Sequence, residues 1–181
     1  GVTGLTLICQ GTWVPEPDTF GVADLVANGQ VKKMVSPLPF HPKHGGPVKE
    51  LWESGKLELE VVPQGVLAER LRAGGAGIGG VFLPTGARTR FTEGKELRPF
   101  DGKEHVLEFA LKADFALLRA KAADTLGNLE YQGAGRNWNP TMAMAAATVV
   151  AEVDQVHEPG GIDPEVVITQ AIFIDRLVLA D

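Results

Sequence analysis

Pro63-Gln64-Gly65 is the best-placed polar element of the chain. It follows a run of strand length, Leu57 to Val62, and opens a helical pattern. Open α/β sheets bind ligands outside the carboxyl ends of their strands. A neutral amide placed there donates to a carboxylate or carbonyl without the desolvation cost of a charge. The competing reading is a glutamine that only caps its helix, and the residues alone leave both open. Further on, Gly75-Ala76-Gly77-Ile78-Gly79-Gly80 matches G-x-G-x-x-G. The dinucleotide fingerprint needs that pattern after a strand and at the start of a helix, where the helix dipole faces pyrophosphate. Here the helix comes first and the strand afterwards, which argues against a nicotinamide cofactor. The bland alternative is a helix C-cap with a turn. A third is that consecutive glycines expose backbone amides and let a ligand approach closely. Arg136-Asn137-Trp138-Asn139-Pro140 offers donors and an aromatic ring before a helix, against a simple N-cap at Asn139 with Pro140 in the first turn.

The remaining reactive types form no set. Ser36 and Ser54 are the two serines, and neither sits in G-x-S-x-G. Cys9 follows the apolar run Leu5 to Ile8 and reads as packed rather than reactive. His41 and His44 are three apart in a Pro-rich loop, while His105 and His157 are isolated, so no three or four zinc ligands are visible and no metal is expected. Glu58 and Glu60 share one face of a strand and read as solvent-facing or at a subunit surface. A complete catalytic constellation is missing from the residues alone.

The elements that must position these groups alternate. Leu5 to Cys9, Val31 to Val35 and Leu57 to Val62 read as strands, separated by helices over Phe20 to Val26 and Val48 to Ser54. A helix after Pro63 puts Leu67 and Leu71 on one face and is expected to stop at Gly74-Gly75. Val81 to Leu83 resumes as a strand. Two polar strands then flank Phe100-Asp101-Gly102-Lys103, a hairpin excursion from the main sheet. Phe115 to Ala120 is expected as a buried strand, with Leu129 to Gln132 pairing nearby. Pro140 to Ala147 is an alanine-rich helix, Thr148 to Val153 a strand, and Ile172 to Val178 the last strand. The fold class is α/β, a mainly parallel sheet flanked by helices, with a small antiparallel hairpin, in one domain over 1–181.

Composition sets the outer bounds. Glycine and proline number 22 and 12 among 181 residues, below the roughly 25–30% at which such composition reads as disorder. With 17 Lys and Arg against 23 Asp and Glu, the chain carries a net charge of −6 and no basic block, which makes it a poor nucleic-acid binder. No apolar run reaches the roughly 18–20 residues of a membrane span, and no charged n-region with a small-residue cleavage site opens the chain. One cysteine allows no internal disulfide. A cytoplasmic protein is the expectation.

Several ordered stretches carry a resemblance. Val61-Val62-Pro63-Gln64-Gly65, Leu67 through Gly79, Pro84-Thr85-Gly86, Ala113 through Leu117 and Gly127-Asn128-Leu129 are similar to the A subunit of 3-oxoacid CoA-transferases. So are Ala134-Gly135-Arg136-Asn137, Pro140-Thr141-Met142-Ala143 and Ile162-Asp163-Pro164-Glu165. The likeness spans nearly the whole chain, and VVPQG, GAGIG and MAMAA look most like the 3-oxoadipate-using members. The resemblance implies a ping-pong transfer of CoA between succinyl-CoA and a 3-oxoacid, 3-oxoadipate or acetoacetate. The nucleophile in such enzymes is a glutamate of the B subunit, which accounts for the missing catalytic set. It further implies an A2B2 assembly, acyl-CoA and short carboxylic acids as substrates, and no cofactor beyond coenzyme A itself. Gln64 and Gly65 would lie near the reacting carboxylate, and the turn containing Gly75 and Gly77 near the subunit interface and cleft. The alternative is a non-catalytic binding or scaffold subunit. Three departures stand out. The family's leading strand, G-G-F loop and helix have no counterpart before Gly1, so an incomplete domain is expected. Cys9-Gln10-Gly11 stands where many relatives have Ser-Asn-Asn or Ser-Asn-Asp, and Thr169-Gln170-Ala171 where Thr-Pro-Gly is common.

Overall fold

The computed structural model describes residues 1–12, 21–41, 43 and 45–180. They fall into two compact units, Gly1–Leu67 with Thr89–Phe91, and Ala68–Arg88 with the chain from Thr92 onward.

The first unit alternates β1 (Leu5–Ile8), α1 (Val22–Ala27), β2 (Val31–Ser36), α2 (Pro47–Glu53) and β3 (Glu58–Val61). Its strands form a parallel sheet in the order β1-β2-β3, as the alternation predicts. Val26, Val31, Met34, Val48 and Leu57 make the core. Each helix is punctuated by its sequence. Asn28 and Gly29, the latter at φ 69°, end α1, and Pro47 opens α2, where a missing N–H costs nothing. The expected helix reached back to Phe20, which lies outside the described residues. Glu58 and Glu60 are not simply solvated: Lys33, on the neighbouring strand, reaches both at 2.8 and 2.9 Å. Those two bonds, the Glu58 one foremost, hold the Lys33 ammonium above its ordinary pKa.

Helix α3 (Gln64–Gly75) runs from the first unit into the second. Val66, Leu67, Leu71 and Ala73 are buried, so the expected Leu67/Leu71 face is the packed one. Burying each leucine is worth roughly 2 kcal/mol. The helix ends at Gly75, as the glycine pair predicts, and those glycines have a second reason to be small. Gly74 and Gly75 are helical, and a Cβ on Gly74 would stand 2.1 Å from the Leu111 carbonyl oxygen, one on Gly75 2.6 Å from Met144 Cβ. They are small because other backbone lies against them. The chain turns only at Gly77, which takes φ 72°.

The second unit holds two sheets. β4 (Gly80–Leu83), β5 (Leu97–Phe100) and β6 (Lys103–Phe109) form an antiparallel sheet ordered β4-β6-β5. The run after the glycine turn therefore joins the hairpin rather than the main sheet. Asp101 and Gly102 both have positive φ, 48° and 72°, which is the type I′ turn that matches strand twist. The other sheet contains β7 (Ala113–Asp124), β8 (Leu129–Glu130), β9 (Ala146–His157) and β10 (Arg176–Leu179), in the order β10-β9-β7-β8. β7, β9 and β10 are parallel. Helix α4 (Asn139–Ala145) precedes β9.

Three expectations in this unit need correction. Residues 115–120 are buried on one face only: Ala116, Leu118 and Ala120 enter the core, whereas Phe115 and Leu117 are 68% and 78% exposed. An apolar run hides its own alternation, so periodicity could not separate the faces. The last strand begins at Arg176 rather than Ile172. Ala171–Phe173 is a 3-10 turn with Ile172 exposed, and the Asp175 carboxylate takes the Val149 N–H at 2.7 Å, fixing the strand entry. Asn139 is no simple cap: its side chain donates to the Gly135 carbonyl at 2.9 Å and accepts from the Arg119 N–H at 3.3 Å.

Candidate functional site

The carboxyl ends of β1, β2 and β3 are tied together locally. Ser36, fully buried at the end of β2, donates through Oγ to the Gln10 carbonyl at 3.1 Å and accepts the Leu38 N–H at 3.3 Å. The Cys9 N–H reaches the Val35 carbonyl at 3.2 Å and the Val62 N–H the Ser36 carbonyl at 3.2 Å. Three strand exits are thus held in register by one serine and two main-chain bonds. The Cys9 thiol sits in this frame. Burial pushes it up to about 11, and hydrogen bonds with the Gly11 backbone and Ser36 recover only part of that rise. At neutral pH it is a protonated thiol, which removes it as a nucleophile.

Gln64 and Gly65 stand at the exit of β3, in the first turn of α3, and both are exposed. The Leu67 N–H closes the first turn on the Pro63 carbonyl at 2.9 Å, and the N–H groups before it have no carbonyl within the helix. The Gln64 side-chain amide makes no hydrogen bond among the described residues, so it does not cap its own helix. A Cβ on Gly65 would meet nothing within 4 Å, which leaves the backbone open to approach. Orphan amides, a free side-chain amide and an open glycine at a positive helix end make an oxyanion-accepting group without net charge.

Gly75 is the last residue of the same helix, and Gly77 lies in the turn that follows it. Gly77 is exposed with open space over it, whereas the close approach at Gly75 is made by Met144. Of the other candidates, His41 takes the Lys43 N–H on Nδ1 at 3.2 Å, while His44 lies outside the described residues. His105 Nδ1 meets the Lys103 carbonyl oxygen at 2.9 Å and its ring stands edge-on to Phe100. Among the described residues no three His, Cys, Asp or Glu groups come together as a metal site.

Two polar features go beyond what the sequence reading assigned. Asp124, at the end of β7, is buried and accepts from the N–H groups of Leu126, Gly127 and Asn128 and from Asn128 Nδ2, at 2.7–3.1 Å. Asn128 Oδ1 in turn takes the Ala171 N–H at 3.0 Å. Burial alone would raise this carboxyl; the Asn128 side chain and the three amides outweigh it and hold it below the usual carboxylate value. The spacing Asp124-Thr125-Leu126-Gly127-Asn128 is an Asx-turn signal that could have been read. Trp138 Nε1, buried just before α4, has no partner among the described residues, and no sequence pattern announces that.

A family model described as Coenzyme A transferase matches residues 1–180. The chain belongs to the coenzyme A transferase family. It is 49% identical over 178 residues to the A subunit of a 3-oxoadipate CoA-transferase from Pseudomonas putida, covering 98% of this chain and 75% of that protein. It is 48% identical over 178 residues to the A subunit of a succinyl-CoA:3-ketoacid coenzyme A transferase from Xanthomonas campestris, covering 98% and 71%. A solved acyl-CoA transferase from Escherichia coli O157:H7 superposes with a TM-score of 0.82 at 22% identity, over 100% of this chain and 38% of that one. The last comparison speaks to the fold alone. Together with these relatives, the family match makes this chain the A subunit of a CoA-transferase, and so an enzyme component, as the sequence resemblance implies. No helix among the described residues is long and apolar enough to cross a membrane.

Proposed function

We propose that this CoA-transferase A subunit works with a B subunit, in an A2B2 assembly in the cytoplasm, to move CoA from succinyl-CoA to a 3-oxoacid, 3-oxoadipate or acetoacetate. The chemistry is a ping-pong exchange. A glutamate carboxylate on the B subunit first attacks the thioester carbonyl, expels CoA thiolate and leaves a mixed anhydride. The thiolate then attacks the glutamyl carbonyl of that anhydride, releasing succinate and leaving a glutamyl-CoA thioester. The 3-oxoacid carboxylate reverses both steps and departs as its CoA ester. Every electron pair is accounted for by carboxylate and thiolate, and coenzyme A enters only as substrate.

In this reading the A subunit supplies position and polarity. The observation that carries it is the Gln64 amide, unbonded among the described residues, beside open Gly65 at the carboxyl end of a parallel strand. Each anhydride-forming step builds negative charge on a carbonyl oxygen, and neutral donors fixed in place stabilise it without reorganising. Gly77, exposed and unobstructed, lies at the cleft and subunit interface, with Gly75 locking the preceding turn through Met144. Gln64→Ala in the co-purified complex is expected to lower kcat roughly 10- to 100-fold, one hydrogen bond's worth of transition-state stabilisation. The thioester on the B subunit should still form, more slowly. Unchanged kcat and KM for both substrates would remove Gln64 from the reacting centre.

A further inference from the structure

Among the described residues two that are not glycine hold a positive φ, Asp101 at 48° and Arg88 at 60°. Asp101 is explained by its turn: the Asp-Gly pair closes the β5–β6 hairpin, and aspartate is among the few side chains that enter this region readily. Arg88 has no such account. It lies in the turn leaving β4, where Gly86 already takes φ 86°, and its side chain carries no polar atom near the backbone that could bond locally as aspartate does. Its guanidinium is exposed and has neither a hydrogen bond nor an ion pair among the described residues. Of the cations nearby, Arg98 is held by Glu96 at 2.7 Å and stacks over Phe82, Lys95 is bonded to the buried Glu108 at 2.6 Å, and Arg90 lies over the Phe91 ring. So the turn keeps an arginine where glycine would fit without strain, and keeps its charge unspent.

A strained residue whose charge meets no polar partner among the described residues points to a contact outside them. Resting on the CoA-transfer reading above, we propose that Arg88 is an anion-binding residue for the substrate pair: its guanidinium takes an oxyanion, a phosphate of the CoA moiety or a carboxylate of the acid. The planar fork suits both groups, since it offers two parallel N–H donors to two oxygens. The side chain is exposed, and Gly86 and Ala87 beside it in the turn are small.

The test uses the co-purified complex with Arg88→Gly, Arg88→Ala and Arg88→Lys. It reads Tm, equilibrium binding of CoA and of succinate, and kcat and KM for succinyl-CoA and for the acceptor acid. Arg88→Gly relieves the backbone and removes the charge, so Tm is expected to hold or rise while affinity falls about tenfold or more. Arg88→Ala should lose the same affinity without the gain in Tm, and Arg88→Lys should recover part of it. A tenfold rise in KM confined to succinyl-CoA, matched by weaker CoA binding, assigns the phosphate; a rise confined to the acid, matched by weaker succinate binding, assigns the carboxylate. Glycine variants with unchanged KM and unchanged binding of both ligands overturn the proposal. A wild-type complex that binds both ligands but transfers nothing contradicts the CoA-transfer reading while the binding comparison still decides Arg88; one that binds neither overturns both.

Discussion

Asp124 concentrates more hydrogen bonds than any other carboxylate described, four on one side chain at the turn between β7 and β8. Asp124→Asn keeps the shape and removes the charge that those donors face, and should cost about 2 kcal/mol. The pH dependence has a definite sign. A carboxyl held below its unfolded value of about 3.9 stabilises the fold fully above that pH and loses the contribution as pH falls through the folded value. The Tm difference between wild type and Asp124→Asn, followed from pH 7 down to pH 2, should stay level to about pH 5 and then close. A gap that persists unchanged at pH 2 would assign the loss to packing instead. Cys9 gives a second residue-level expectation. With its thiol near 11, alkylation by iodoacetamide at pH 7.5 should run on the order of 100-fold slower than that of a free cysteine of ordinary pKa. Rapid labelling of the folded chain would show that the strand exits around Ser36 open readily.

At the scale of elements, α3 separates two uses of glycine that look identical in sequence. Gly74→Ala must push a Cβ into the Leu111 carbonyl, which cannot yield without moving β-sheet entry, and is expected to cost about 3 kcal/mol. Gly65→Ala meets open space and adds helix propensity, so Tm should hold or rise by an amount worth up to ~1 kcal/mol. Chemical denaturation of both variants reads the contrast; a destabilised Gly65→Ala would mean the first turn of α3 is packed rather than open. The glycines also mark how far a sequence reading carries. Residues Val31, Met34, Leu67 and Leu71 sit in patterns with one physical solution, and the strand and helix around each are where the spacing puts them. Gly74 and Gly75 read as a stop, and α3 ends there; their close approach to Leu111 and Met144 is not legible, because both roles ask for a missing side chain. The same holds for Phe115 and Leu117, whose exposure depends on what lies across the sheet. Gln64 was legible as a site by its place after a strand; that its amide is unbonded was not, since capping and ligand binding draw on the same atoms.

For the whole molecule, the notable surface is the outer face of β7, β9 and β10, where Phe115, Leu117 and Val178 are exposed on parallel strands. Parallel sheets ordinarily have both faces covered. Arg119 braces the same face with ion pairs to Glu152 at 3.1 Å and to Asp154. An apolar face of this kind should make the chain, produced alone, bind a hydrophobic dye and self-associate with rising concentration. Leu117→Lys should reduce both and change unfolding free energy by less than about 0.5 kcal/mol, as surface substitutions do. Dye binding unaffected by that substitution would place the sticky surface elsewhere.

The central claim is a division of labour, in which this subunit positions the substrates and the nucleophile belongs to the B subunit. Intact-mass measurement of both chains, made once the co-purified complex is mixed with succinyl-CoA alone, tests it most directly. The expected result is a CoA adduct, sensitive to hydroxylamine, on a glutamate of the B subunit, with this chain unmodified and CoA passing on when 3-oxoadipate or acetoacetate is added. A CoA adduct on this chain, or no adduct and no transfer to any short acid, would contradict it.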